Sequence, residues 1–206
     1  MIGVLILAGG LGQRMGGIDK GWSLQNQESF IEIVLRQIQQ QASVLENQSA
    51  TIVISANRNI KDYLRLGCPV ITDVRSGFCG PLAGIEAAMC APALCHVSRW
   101  ITWPVDSLKV PEDYLLKMSV PTQKVCVLKQ HQRSHYAHLS IPNHFKGTLS
   151  SYLDAQQYSI KGWLRSLSKD CDIVSEIKLS EHDLILNCNQ TLCGTTRFNH
   201  ESNVLR

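Results

Sequence analysis

Arg14 and Lys20 are the residues to start from, because both sit in a loop rich in glycine. The stretch Val4-Leu5-Ile6-Leu7-Ala8-Gly9-Gly10-Leu11-Gly12-Gln13-Arg14-Met15-Gly16-Gly17-Ile18-Asp19-Lys20 opens as a short apolar run and breaks into a loop with five glycines. Glycine lets a backbone approach a ligand closely and turn its N–H groups toward it. Two fixed cations beside such a loop suit a polyphosphate. A P-loop would need Lys-Ser/Thr after its second glycine, but Ile18 and Asp19 follow Gly17. A Rossmann fingerprint would need a third glycine where Met15 stands. The chemistry indicated is nucleotide binding through a loop of neither common type.

Carboxylates and amides recur after other apolar runs. Thr51-Ile52-Val53-Ile54 leads into Ser55-Ala56-Asn57-Arg58, Val70-Ile71-Thr72 into Asp73, and Arg99 to Trp103 into Pro104-Val105-Asp106. Leu184 to Leu186 leads into Asn187-Cys188-Asn189. Magnesium bound to a nucleotide needs only one or two carboxylates plus phosphate oxygens. Asp106 is the candidate metal ligand.

These residues need elements to hold them. Residues 2–8 read as a buried strand. Phe30, Val34 and Ile38 recur at helical spacing, so the segment Glu28 to Leu45 reads as a helix. Further helices are expected from Leu82 to Met89, near Pro111–Met118 and, in two pieces, over 146–168. Strands are expected at 51–55, 70–72, 99–103, 124–130, 136–141, 172–179 and 184–186. Strands alternating with helices imply an α/β fold of three layers, Rossmann-like, with a mostly parallel central sheet. In such sheets ligands bind outside the carboxyl ends of the strands. The polar groups above follow five strand ends.

The bulk properties agree. The chain has 206 residues and is 44% hydrophobic, which suits one domain over 1–206 with a sizeable core. No apolar run approaches the roughly 18–20 residues of a membrane span, and the N-terminal run lacks the basic flank of a signal peptide. A cytoplasmic protein is expected. The net charge of +3 fits anionic metabolites and does not demand nucleic acid. Nothing indicates secretion, so the eight cysteines are expected as reduced thiols, and without a Cys-x-x-Cys the compact spacing of a structural zinc site is missing. His131, His135, His138 and His144 fall on a strand pair and its loop and read as solvated or core histidines.

The block Met15-Gly16-Gly17-Ile18-Asp19-Lys20-Gly21, after Leu7-Ala8-Gly9-Gly10, resembles the signature loop of nucleotidyltransferases, above all the molybdenum cofactor guanylyltransferase (MobA) family. Gly80-Pro81-Leu82-Ala83-Gly84 and Asn187-x-Asn189 resemble two further elements of that family. The resemblance implies transfer of GMP from GTP to molybdopterin or molybdenum-loaded molybdopterin, with Mg2+ as cofactor and pyrophosphate as product. It implies that Leu7, Ala8, Gly9 and Gly10 present backbone groups to base and phosphates. Arg14 would hold the pyrophosphate side and Lys20 the phosphates. Ser55 and Asp73 would lie on the nucleotide side, Asp73 near the guanosine. Asp106 would hold the metal, and Asn187, Asn189 and Lys161 would face the acceptor. Other cofactor-biosynthesis proteins and molybdoenzyme chaperones are the implied protein partners.

The chain departs from the family pattern. Ser55 replaces an asparagine, Asp106 is followed by Ser107-Leu108 instead of an early proline, and His135-Tyr136-Ala137-His138 stands where His-Pro is common. Tyr158-Ser159-Ile160-Lys161 replaces a more basic run. These changes bear mainly on the acceptor. A related nucleotidyltransferase with another base or acceptor, and a catalytically weak nucleotide-binding protein that handles the cofactor, are the alternatives.

Overall fold

In a computed structural model of the chain, the residues described are 1–10, 19–45, 49–168, 173–180, 183 and 185–188. β1 (Ile2–Leu7) leads, through a 3-10 turn at Lys20–Trp22, to a small hairpin of β2 (Leu24–Gln25) and β3 (Glu28–Ser29) and then to helix α1 (Phe30–Ser43). β4 (Ala50–Ser55), α2 (Ile60–Leu64), β5 (Val70–Ile71) and α3 (Pro81–Cys90) complete the first half. The second half runs β6 (Arg99–Pro104), β7 (Ser107–Lys109), α4 (Tyr114–Met118), β8 (Val125–Gln130) and β9 (Arg133–Pro142). It ends with α5 (Lys146–Asp154), α6 (Ile160–Leu167), β10 (Val174–Lys178) and β11 (Leu186–Asn187).

The main sheet has seven strands in the order β10-β8-β9-β6-β1-β4-β5. β1 pairs in parallel with both β4 and β6. β4 with β5, and β8 with β10, are parallel too. β9 alone among these seven runs the other way, antiparallel to β6 and β8. Only two residues, His131 and Gln132, separate it from β8, and so short a connection can join only antiparallel neighbours. The expected mostly parallel α/β sheet is what forms.

β1 is central, so both of its faces must be apolar. Val4, Leu5 and Ile6 are fully buried. Val4 and Ile6 pack with Phe30, Val34 and Ile38 of α1 and with Tyr114 and Met118 of α4. Leu5 points the other way, into Leu82 and Ile85 of α3, Leu149 of α5 and Trp163 of α6. Alternation along one strand therefore feeds two cores and defines three layers. Among the described residues, no helix is long and apolar enough to cross a membrane.

Three local expectations are corrected. α1 begins at Phe30, not Glu28, because Ser29 caps it. The Ser29 side chain accepts from the Glu32 N–H, and the Glu32 carboxylate accepts from the Ser29 N–H at 3.0 Å. α2 and the hairpin β2–β3 form where no element was expected. Leu186 and Asn187 do not join the main sheet but pair antiparallel with β7 in a small ribbon. Cys68, Cys79, Cys90, Cys95, Cys126 and Cys188 are free thiols, as expected.

Candidate active site

A pocket of about 260 Å3 opens at the carboxyl ends of β1, β4 and β6. Leu7, Ala8, Gly9 and Gly10 form one wall, continuing β1. Ser55 and Asp73, at the ends of β4 and β5, form a second. Pro104, Val105 and Asp106 follow β6, and Lys20 comes in from the 3-10 turn. Four strand ends thus deliver the residues expected of them to one cavity. Arg14 and Asn189 lie outside the described residues.

At one side of the pocket Lys20 Nζ donates to Asp106 Oδ2 at 2.6 Å. Lys20 owes its place to Asp19. The Asp19 carboxylate caps the turn by accepting from the Gly21 N–H at 3.1 Å. It also accepts from Tyr63 Oη in α2 at 2.7 Å and from Asn59 Nδ2, just before α2, at 3.0 Å. Burial, and then the Asp19 carboxylate, push the Tyr63 hydroxyl far above its usual range, so the phenol stays a donor. The sequence reading had no role for Asp19, Asn59 or Tyr63. The residue types carried a signal only in retrospect, since α2 is too short for periodicity to reveal.

The opposite side is built around Asp73. Asn57 clasps it from both directions: Asn57 Nδ2 donates to Asp73 Oδ2 at 2.8 Å, and the Asp73 N–H donates to Asn57 Oδ1 at 2.9 Å. Burial raises the Asp73 carboxyl, the Asn57 bond lowers it, and the Glu86 charge raises it again. Arg58 Nη2 donates to the Gly10 carbonyl at 2.9 Å and ties β4's exit to the glycine loop. Asn57 and Arg58 stood in the same polar run as Ser55, and that shared run was their available signal.

The loop from Asp73 to Gly80 carries Phe78 into the lining and is braced from behind. Arg75 donates twice to the buried Glu86, at 2.6 and 2.7 Å, and once to Asp154 at 2.8 Å. The Arg75 guanidinium holds the Glu86 carboxyl below its usual range against the opposing effect of burial. Gly80 ends the loop at φ +69°, a left-handed value that suits glycine, and Pro81 then opens α3 at the pocket. α3 runs hard against β4. A Cβ at Gly84 would collide with Ser55 Oγ, so a larger residue there requires Ser55 to turn away or α3 to shift.

The remaining expectations fall away from the lining. Asn187 Oδ1 lies 2.6 Å from Ser107 Oγ, beside Asp106. Lys161 Nζ stands 5.7 Å over the Tyr136 ring. Tyr136 precedes Ala137, which does line the pocket. His138 is a core residue of β9. Among the described residues, no group of three or more His, Cys, Asp or Glu could hold a metal by itself.

Residues 4–171 match the model of the MobA-like NTP transferase domain. The molybdenum cofactor guanylyltransferase of Mannheimia succiniciproducens is 35% identical over 156 residues, 74% of this chain and 77% of that one. That of Polynucleobacter asymbioticus is 40% identical over 120 residues, covering 58% of this chain but only 55% of its relative. Among solved structures, molybdopterin-guanine dinucleotide biosynthesis protein A of Archaeoglobus fulgidus superposes with a TM-score of 0.63 at 20% identity, covering 86% of this chain and 83% of that one. With glycine loop, Lys20 and the three strand-end residues all inside the matched span, the chain belongs to the MobA-like NTP transferase family.

Proposed function

We propose that this chain transfers GMP from GTP to the terminal phosphate of molybdopterin, or of molybdenum-loaded molybdopterin, releasing pyrophosphate. The observation that carries this reading is the Lys20–Asp106 pair, an ammonium and a carboxylate set side by side in one pocket with Gly9 and Gly10. The names of the relatives support guanine as the base and molybdopterin as the acceptor.

In the transfer, an oxygen of the acceptor phosphate attacks the α-phosphorus of GTP. A new P–O bond forms, the bond from the α-phosphorus to its bridging oxygen breaks, and the electron pair leaves with pyrophosphate. The work asked of the protein is positioning and charge stabilisation. Leu7 to Gly10 would place the nucleotide against β1's end. Asp73, held by Asn57, would read the guanosine. Lys20 would stand against the phosphate charge, with the positive end of α3 opening at the same cavity. Arg14 would take the pyrophosphate side.

The donor set suits Mg2+. Asp106 offers a hard carboxylate oxygen at the pocket, and the ion ordinarily takes one or two carboxylates, phosphate oxygens and water. When bound, magnesium would neutralise phosphate charge and make the α-phosphorus more electrophilic. Asp106 is the residue that would hold it. Proteins of molybdenum cofactor biosynthesis and molybdoenzyme chaperones are the partners this reading implies.

Nucleotide titrations with magnesium present test the base. GTP is expected to bind at least about tenfold more tightly than ATP or CTP, or about 1.4 kcal/mol. Equal binding of CTP would transfer the reading to a cytidylyl-transferring relative.

A further inference from the structure

Ser107, the residue after Asp106, is fully buried. Its hydroxyl lies 2.9 Å from His138 Nε2 on β9 and 2.6 Å from the Asn187 side-chain amide on β11. His138 is only 1% exposed, and its Nδ1 lies 2.9 Å from Tyr114 Oη on α4. Tyr114 Oη donates to the Thr102 carbonyl of β6 at 2.7 Å. Side chains from four elements form one line, from Asn187 to the Thr102 carbonyl, that passes Asp106 at Ser107.

Proton counting fixes the direction of that line. A carbonyl only accepts, so the single hydroxyl proton of Tyr114 goes to Thr102. His138 Nδ1 must therefore donate to Tyr114 Oη. Among the described residues no carboxylate bonds His138, and burial, with repulsion from His135 behind it, pushes the imidazole down to about 3. A neutral ring has one N–H, so Nε2 is bare and accepts the proton of Ser107. Ser107 then has none left for Asn187. The amide must meet Ser107 through its NH2 group, which turns the Asn187 carbonyl outward. An amide turned over in this way occupies the same space.

The backbone around Asp106 is held as well. The Cys188 N–H donates to the Asp106 carbonyl at 2.8 Å, the Val105 N–H to Leu7 O at 3.2 Å, and Trp103 Nε1 to Ser107 O at 3.1 Å. With the peptide groups and the next side chain fixed, little freedom is left to the Asp106 carboxylate beyond its own torsions. We propose that Asn187, Ser107, His138 and Tyr114 form a one-way hydrogen-bonded strut that sets the turn carrying Asp106, and that Asn187 and Ser107 serve the reaction as positioning residues. The inference rests on the proposed role of Asp106 in guanylyl transfer. It also gives Asn187 a different task from the acceptor contact that the family resemblance implied.

The test compares Asn187→Asp with Asn187→Ala, and Ser107→Ala with Ser107→Thr, by pyrophosphate release at varied GTP and magnesium. A carboxylate cannot donate to Ser107, so Asn187→Asp is expected to be at least as damaging as Asn187→Ala. Both, with Ser107→Ala, are expected to lower kcat about tenfold and to raise the magnesium concentration at half-maximal rate severalfold, while KM for GTP moves less than threefold. Ser107→Thr keeps the hydroxyl and is expected to recover most of the rate. An Asn187→Asp variant as active as wild type would overturn the direction of the strut. A change in KM with kcat and magnesium midpoint unmoved would overturn the positioning role. Asn187 is exposed, so its two variants keep the test decisive even if Ser107→Ala fails to fold. A long-range 1H–15N spectrum of histidine-labelled protein reads the strut without activity: His138 is expected to carry its proton on Nδ1 alone. That pattern in a chain with no transferase activity would sink the proposed function and leave the strut standing. A proton on Nε2 would overturn the strut whatever the activity.

Discussion

Lys20 and Asp106 stand 2.6 Å apart, yet their proposed tasks differ, and substitutions separate them. Asp106→Asn keeps the shape of the side chain and removes its charge. Turnover is expected to fall by a factor on the order of 100 or more, with a thermal midpoint close to wild type. Lys20→Ala is expected to weaken GTP more than GMP, since only GTP carries β- and γ-phosphate charge; calorimetric titration of both nucleotides measures this. Equal weakening would make Lys20 a structural residue of the turn. At this scale the sequence was informative where a residue followed an apolar run. Leu7 to Gly10, Ser55, Asp73 and Asp106 were legible because the carboxyl edge of a parallel sheet is where ligands sit. Lys20 was legible from its glycine neighbours. Asn57 showed only as a member of the polar run after β4, and Tyr63 and Arg75 did not show at all, because the value of each depends on a partner, Asp73, Asp19 or Glu86, which only the fold brings near.

Elements behind the pocket carry two further expectations. Arg75 links the Asp73–Gly80 loop to α3 and α5 through Glu86 and Asp154. Removing it leaves Glu86 buried and unpaired. Arg75→Met is expected to cost near the lower end of the roughly 3–5 kcal/mol seen for broken buried pairs, because Arg75 and Asp154 keep some contact with water. The thermal midpoint should then fall by roughly 6–12 °C at neutral pH. The pH dependence has a definite sign. Glu86 is held below its usual value in the folded chain, so its stabilisation is full above the unfolded value of about 4.3 and is lost as pH falls through the lower folded one. In the variant, burial without Arg75 raises the same carboxyl, so acid relieves the penalty. The gap between the two melting curves is therefore expected to shrink below about pH 4. A gap constant with pH would show that the pair is not its source. Gly84→Ala is expected to push α3 away from Ser55, costing about 1–3 kcal/mol and weakening GTP binding, with partial recovery in combination with Ser55→Ala. Long periodic elements such as α1 were readable, but β9 was expected only from residue 136, so the two-residue β8–β9 turn and the antiparallel pairing it requires were not. α2 has five residues, and β2, β3 and β7 have two or three each, too few for any period to show. The β7–β11 ribbon pairs residues about eighty positions apart, which no local pattern encodes.

As a whole, the molecule places four strand ends, Gly9, Gly10 and one helix start around one pocket, and places two apolar cores beneath them. The three layers followed from alternating strand and helix signals. The strand order did not, since the order depends on which crossover goes to which side of β1. The departures at Ser55, at Ser107-Leu108 and at His135 to His138 fall on β4, β7 and β9, where Ser55 and Ala137 line the pocket and Ser107 follows Asp106. Guanylyl transfer is the central claim, and product formation tests it most directly. Purified protein would be incubated with GTP, magnesium and molybdopterin, and the product identified by mass spectrometry as molybdopterin is varied. The expected result is the guanine dinucleotide of molybdopterin and one pyrophosphate per product, with saturation in molybdopterin and no comparable product from ATP or CTP. Absence of the dinucleotide at every molybdopterin concentration, in protein that binds GTP, would contradict it.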